Sequence, residues 1–347
     1  MPALILTRRE VASLLNLGEC IVAVEEAFRA HGSGDAPIPG VLGVHVASGA
    51  FHIKAAAMMR PRAYFAAKVN GNFPGNRERY ARPTIQGLIV LADLETGTPL
   101  AVMDSIEITI QRTGAATAVA AKHLARTVAS TVTIVGCGVQ GRVQLRSIAA
   151  VREVAAIHAY DSNLELASGF AREMAPVVGV PIDPVNDLRQ ALRQSDIVVT
   201  CTTSRSPIVF RGDLKPGAFV AAVGADNPEK NEIAPEVLAD ATVVPDVIDQ
   251  ALVMGDLHHA VTSGAMRRED VNAELGEVVA GRKPGRRTND EIVVFDSTGM
   301  ALQDVAAAAL VYERARERRI GRLIAINENA PRQSRFLSAM SSLHHRL

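Results

Sequence analysis

The sequence predicts an α/β protein in which a doubly wound parallel sheet follows a largely antiparallel module. Three observations carry this. A glycine-rich run, Ile134-Val135-Gly136-Cys137-Gly138-Val139-Gln140-Gly141, sits between an apolar β-branched segment and a helix-like one. From Thr131 onward, strand-like and helix-like segments alternate, the rhythm of parallel βαβ units. Between residues 41 and 104, short strand-like runs instead follow one another with only turn residues between them.

In chain order, Thr7-Arg8-Arg9-Glu10 is a capping box ahead of Val11, Leu14, Leu15 and Leu17. A second helix is predicted from Cys20 to His31, with Ile21, Val24, Ala27 and Phe28 on one face. Gly32 to Gly40 reads as a loop. Strands are predicted over 41–46, 51–55, 64–69, 85–92 and 100–103. Gly71-Asn72-Phe73-Pro74-Gly75-Asn76 and Glu95-Thr96-Gly97-Thr98-Pro99 supply turns between them. Residues 106–124 read as a helix whose small residues, Thr113-Gly114-Ala115-Ala116, suit close helix packing and close approach of a ligand alike. Then come strands at 131–135, 154–160, 197–201, 219–223, 242–245 and 292–295. Helices are predicted at 139–150, 164–175, 187–194, 235–238, 250–258 and 272–280. Ile197-Val198-Val199 is apolar without alternation, as burial on both faces requires. A last helix, 300–318, turns from Ala-rich to Arg-rich, which suits its macrodipole. It is expected to leave the sheet and return to the first module. The polar tail after Pro331 is expected to be loosely ordered.

A length of 347 residues suggests two domains, and 48% hydrophobic content supports a sizeable core. Lys and Arg (37) balance Asp and Glu (37), so there is no basic excess for nucleic acid. Cys20, Cys137 and Cys201 form neither a metal spacing nor a disulfide framework, and the expected setting is the cytoplasm. The apolar start, Leu4-Ile5-Leu6, is too short for a signal peptide, and no uncharged run approaches a membrane span.

Each part of the glycine run has a physical job. Gly136 permits the tight turn, Gly138 lets the backbone approach a pyrophosphate, and Gly141 lets the helix pack against the sheet. The helix N-terminus then offers unpaired N–H groups to the phosphates. Asp161 closes the next apolar segment, 20 residues past Gly141, where it would meet the ribose hydroxyls. A carboxylate there repels a 2′-phosphate, so NAD is favoured over NADP.

Ligands of such sheets bind beyond the carboxyl ends of the strands. Thr200, Thr202 and Thr203 follow one strand; Asp226, in Gly224-Ala225-Asp226-Asn227, follows another. Asp226 is either a turn residue or a proton-transfer group. In the first module, Lys54, Lys68 and Arg112 lie in or beside apolar runs. They are either the solvent face of strands or cations awaiting a bound carboxylate, which would offset the cost of burying them. His52 reads equally as a core histidine. His258-His259 make a poor metal pair, and no metal is assigned.

Together these residues resemble the ornithine cyclodeaminase/mu-crystallin family along nearly the whole chain. The resemblance is carried by Ala67-Lys68-Val69-Asn70 with the 73–76 loop, Pro83-Thr84-Ile85-Gln86-Gly87, Leu100 to Asp104 and Gln111 to Ala116. Gly136 to Gly141, Val223 to Lys230 and Phe295-Asp296-Ser297-Thr298-Gly299 complete it. It implies a Rossmann domain (121–304) inserted in an α+β substrate-binding and dimerisation domain (1–120 plus 305–347), and a homodimer. It implies action at the Cα–N bond of small L-amino or cyclic imino acids. It also implies that Lys68 and Arg112 grip the substrate carboxylate and that Asp226 is the acid/base. Cofactor contacts would come from Thr84, Arg112, Gly136, Gly138, Val139, Gln140, Gly141, Asp161, Thr202, Val223, Lys230 and Ser297. Two departures stand out. Relatives often carry a cation near Gly40-Val41, for which Lys54 would substitute here, and ornithine cyclodeaminase places a Glu where this chain has His52. An NAD(P)H-dependent oxidoreductase is therefore the leading expectation. The alternatives are an ammonia-releasing cyclodeaminase with catalytic NAD and a non-enzymatic binder of dinucleotide and small ligand.

Overall fold

The computed structural model describes residues 2–37, 39–59 and 63–326; the polar tail after Pro331, with the end of the expected 305–347 segment, lies outside them. The strands are β1 (Ala3–Leu6), β2 (Gly40–Val46), β3 (Gly49–Met58), β4 (Tyr64–Asn72), β5 (Ile85–Asp93), β6 (Pro99–Asp104) and β7 (Thr131–Val135). They continue with β8 (Ala156–Tyr160), β9 (Ile182–Pro184), β10 (Ile197–Thr200), β11 (Phe219–Ala222), β12 (Thr242–Pro245), β13 (Val293–Asp296) and β14 (Arg322–Ile324).

Two seven-stranded sheets result. The first runs β14-β1-β6-β5-β4-β3-β2 and is antiparallel apart from the β1–β6 pair. Its inner face, including Ala56, Met58, Ala66, Ile89 and Leu91, is buried in the core with the Leu17–Ser33 and Ala301–Arg318 helices. Its outer face is apolar yet uncovered. Leu42, Val44, Val46, Phe51, Val69, Leu88 and Val90 are between 38% and 56% exposed there. β1 and β14 extend this sheet beyond what the sequence indicated, because runs of four and three residues carry no readable alternation.

The second sheet runs β12-β13-β11-β10-β7-β8-β9 and is parallel throughout. Strand order reverses between β7 and β10, which opens a crevice at their carboxyl ends. The helix expected over 250–258 is two, Ile248–Ala251 and Asp256–Thr262, parted at Gly255 with φ +89°. The one expected over 272–280 shortens to Leu275–Val279.

The Ile106–Leu124 helix joins the two sheets. It packs on the Val139–Ala149 helix at Gly114, where a Cβ would lie 2.4 Å from Ser147 Oγ, so close packing is one demonstrated use of its small residues. After β13 the chain leaves the parallel sheet, and the Ala301–Arg318 helix packs against β3, β4 and the Leu17–Ser33 helix. Among the described residues, no helix is long and apolar enough to cross a membrane.

Candidate active site

The crevice is built around the glycine turn. Gly136 has φ +103°, and a Cβ there would lie 2.9 Å from Cys201 O. A Cβ on Gly141 would lie 2.2 Å from Gly136 O, so only glycine lets the helix close on the turn. Gly138 faces open space and caps the Val139–Ala149 helix with no side chain, leaving its first N–H groups available. Asp161 accepts the Cys137 and Asn163 N–H groups, each at 3.0 Å, which fixes its carboxylate at the rim. A cavity of about 440 Å³ is lined by Gly136, Gly138, Asp161, Ser162 and Thr202. Val139 is exposed in the first helical turn, where Gln140 Oε1 accepts a bond from Gln144. Val223 and Ser297 follow β11 and β13, their N–H groups bonded to Thr200 O and Ala222 O. A bare helix N-terminus beside an open glycine turn and an anchored carboxylate fits a dinucleotide.

The cations converge on the inner face of the first sheet. Lys54 and Lys68 are directly opposed on β3 and β4. Lys68 Nζ lies 2.7 Å from Asp304 Oδ2, and Arg112 Nε lies 3.2 Å from Asp304 Oδ1. Arg112 also donates to Gln303 Oε1 at 3.0 Å. Lys54 donates to the Thr298 and Gly299 carbonyls at 2.9 and 2.7 Å. Lys68, Arg112 and Asp304 are all buried, so these are not the solvent face of a strand. Burial drives the Lys68 pKa down to about 7; Asp304 opposes this, while Arg112 and Lys54 reinforce it. Burial, then Arg112, lowers Lys54 as well. Asp304 resists its own burial because Lys68 and Arg112 hold its carboxyl below the usual range. Lys68 and Arg112 thus share one contacting carboxylate, with Lys54 opposite Lys68 and held by carbonyls, an excess of cations that an incoming carboxylate would satisfy.

Asp304 and Gln303 were not singled out from the sequence. The available signal was an acid framed by Leu302, Val305 and a run of alanines, where a carboxylate is costly without partners. Gly299 belongs to the same arrangement. Its φ is +83°, and a Cβ would lie 2.6 Å from Arg112 Nη1.

A second cavity, of about 480 Å³, opens between the sheets, lined by Val41, His45 and His52 on one side and by Asp226, Val253 and Met254 on the other. His52 lies two residues before Lys54 on the same face of β3. Burial lowers its pKa, against the pull of Asp226. Asp226 accepts a bond from Lys230 Nζ at 2.7 Å while its side chain remains about half exposed (54%). The structure therefore gathers Lys54, Lys68 and Arg112 in one group and His52, Asp226 and Lys230 in another, linked along β3. Thr84 lines neither cavity; its carbonyl accepts the Phe73 N–H. His258 and His259 each place a ring nitrogen on a backbone carbonyl, those of Leu252 and Lys230. Among the described residues, no group of three His, Cys, Asp or Glu side chains is disposed to hold a metal.

A switch-point crevice that fits a dinucleotide, beside a buried cation set on the first sheet, is the arrangement of a dinucleotide-dependent enzyme. The chain belongs to the ornithine cyclodeaminase/mu-crystallin family, whose sequence profile matches residues 1–319. It is 38% identical to an alanine dehydrogenase of Archaeoglobus fulgidus over 322 residues, 92% of this chain and 98% of that protein. Among solved structures it resembles an archaeal alanine dehydrogenase dimer with bound NAD, at TM-score 0.90 and 39% identity over 94% of this chain and all of the other. It also resembles the Δ1-pyrroline-2-carboxylate reductase of Thermococcus litoralis in complex with NADH and L-proline. That match has TM-score 0.87 and 34% identity, over 92% of this chain and all of the other.

Proposed function

We propose that the protein is an NAD-dependent oxidoreductase acting at the Cα–N bond of a small L-amino acid or cyclic imino acid, as a ketimine or pyrroline-2-carboxylate reductase or an alanine dehydrogenase. One observation carries the reading: Lys54, Lys68 and Arg112 are gathered on the inner face of the first sheet, two residues along β3 from His52, which shares a cavity with Asp226. Gly138, the open helix N-terminus and Asp161 would hold the cofactor, and Asp161 favours NAD over a 2′-phosphorylated form. A dinucleotide held there would supply the redox chemistry at Cα, as donor or acceptor of the hydride. Lys68 and Arg112 orient the substrate carboxylate, and Lys54 adds the cation that this chain lacks near Gly40-Val41. Asp226 exchanges a proton with the substrate nitrogen, and Lys230 Nζ, which donates to it at 2.7 Å, fixes its orientation.

The readings from the sequence that favour redox over cyclodeamination rest on His52. An imidazole, unlike a glutamate, carries no negative charge to pair with a second ammonium such as that of ornithine. The exposed apolar row on the first sheet supports a homodimer through that face. The three cysteines, none in a disulfide, suit the cytoplasm.

The test is NADH oxidation with pyrroline-2-carboxylate, piperideine-2-carboxylate, or pyruvate plus ammonia. Turnover of at least one is expected, and Asp226→Asn should lower it by about 10²- to 10⁴-fold while leaving NADH affinity in place. Silence on all three refutes the reading. Ammonia release from ornithine or lysine with no net change in NADH selects the cyclodeaminase instead.

A further inference from the structure

Beneath the crevice lies a carboxylate that none of the roles above uses. Glu232 is fully buried. Its Oε1 accepts the Thr202 N–H at 2.6 Å; its Oε2 accepts the Thr200 hydroxyl at 2.7 Å and the Gly224 N–H at 2.8 Å. The donors come from two separate segments. Thr200 and Thr202 end and follow β10, and Thr202 lines the cofactor cavity. Gly224 follows β11, two residues before Asp226. The two loops also touch, since a Cβ on Gly224 would lie 2.4 Å from Thr202 O and 2.5 Å from the Glu232 carboxyl.

We propose that Glu232 is a positioning residue that ties the cofactor loop after β10 to the Asp226 loop after β11, so that the dinucleotide and the acid/base keep one fixed relation. The role in turnover rests on the reading of Asp226 given above; the tie itself does not. Glu232 is well suited to it. Burial pushes the Glu232 carboxyl pKa up, and the bonds from Thr202, Thr200 and Gly224 oppose that; as a carboxylate it only accepts, and three donors converge on it from two loops. Bonds to a charged acceptor are roughly twice as strong as neutral ones. Glutamine, of nearly the same shape, would turn an NH₂ group toward one of those donors and leave it unpaired.

Glu232 is itself anchored from below. Its N–H and that of Ile233 donate to Asp256 Oδ1 at 2.7 and 2.9 Å. The Asp256 and Leu257 N–H groups in turn donate to Asp296 at the end of β13, at 3.3 and 2.8 Å. A ladder of carboxylate-to-backbone bonds therefore runs from β13 to the crevice floor, and Glu232 is its last rung. None of the three cations is bonded to Glu232 or Asp256; the one nearest the ladder, Lys54, is held by the Thr298 and Gly299 carbonyls beyond Asp296. Glu232 should therefore act on cofactor affinity and kcat, with little effect on substrate KM.

The test compares the full-length wild type with Glu232→Gln and Glu232→Asp. NADH affinity is read by fluorescence titration, amide exchange on peptides covering 200–204 and 222–226, and kcat and KM on whichever imino acid the wild type reduces. In Glu232→Gln, the NADH Kd and 1/kcat should each rise about tenfold or more, with KM for the imino acid within about threefold. Exchange should quicken in both loops together, and Glu232→Asp, charged but shorter, should fall between. A folded Glu232→Gln with NADH affinity and kcat within about twofold of wild type overturns the proposal, as does faster exchange confined to one loop. Should Glu232→Gln not fold, Thr200→Val removes one of the three donors alone; it should quicken exchange in both loops, and unchanged exchange overturns the tie. A wild type inert on every imino acid sinks the reading of the reaction while the NADH and exchange measurements still decide the tie. Activity with two independently exchanging loops sinks the tie alone.

Discussion

Raising the pH through neutrality should loosen the protein's hold on a carboxylate, because one of its three cations gives up its proton there. Lys68 is buried between Lys54 and Arg112, with Asp304 at 2.7 Å as its contacting counter-charge, and its pKa is pushed down to about 7. A ligand carboxylate brings a second anion. At about 4 Å and an effective dielectric near 20 that attraction is about 4 kcal/mol, or roughly three pH units, enough to restore an ordinary lysine value in the complex. The sign follows. The protonated form binds, so below pH 7 affinity is level, and above it each pH unit costs about tenfold until the complex itself titrates. Between pH 6 and pH 9 the dissociation constant should rise by about 100-fold. Pyrrole-2-carboxylate suits the assay, since its ring nitrogen does not titrate in this range and only the protein's protons are read. Its inhibition constant against NADH oxidation gives the curve. Calorimetry at pH 8.5 in two buffers of different ionisation enthalpy should count close to one proton taken up. A constant that varies less than about threefold from pH 6 to 9, with no proton uptake, refutes the reasoning. Asp304→Asn, which removes the supporting anion, should move the fall to lower pH.

Three further outcomes can be measured independently. Gly299→Ala forces a side chain into a φ of +83° and against Arg112, so it should cost about 1–3 kcal/mol of stability in a denaturation curve and raise substrate KM about tenfold; an unchanged KM would separate Gly299 from the carboxylate site. Asp161→Ser removes the carboxylate that excludes a 2′-phosphate, so the ratio of kcat/KM with NADPH to that with NADH should rise by about tenfold or more; no change would show that Asp161 does not read the ribose. Val69 and Leu88, opposed on the outer face of β4 and β5, should anchor the dimer; changing both to Lys should yield monomers in sedimentation, and an intact dimer would place the interface elsewhere.

What was legible in the sequence was local. The glycine turn depends on residues a few positions apart, and Asp161 on the length of one βα unit, so both were fixed by spacing. The parallel sheet showed as unbroken apolar strands such as 197–199. Lys54 and Lys68 were legible as candidates but undecided, because the sequence does not give the register that sets them opposite each other or the helix that buries them. Asp304 was invisible for the same reason: it reaches Lys68 across 236 positions and Arg112 across 192, and only the return of the last helix brings it there. Glu232 reads as one charge among several in Glu229-Lys230-Asn231-Glu232; nothing in that string says that, of its charged residues, Glu232 is the one buried under two strand ends. The break at Gly255 was missed because the helical pattern on either side continues in phase across it.

The cation set also explains why the two halves of the molecule must meet where they do. Lys54 belongs to β3, yet the carbonyls that hold it, those of Thr298 and Gly299, belong to the segment leaving the second sheet. That segment is held in turn by Asp246, which accepts the Thr298 hydroxyl and the Gly299 N–H, and by Gln250, which donates to Thr298 Oγ1 at 2.8 Å. Gln250 also lines the cavity shared by His52 and Asp226. Pulling the halves apart would leave Lys54 without acceptors and would open the Arg112 side of the site at Gly299. The proposed carboxylate grip is therefore not a property of the first sheet that a cofactor domain happens to cover. It is assembled from both, and a substrate carboxylate entering it would offset positive charge that each half, by itself, would have no reason to bury.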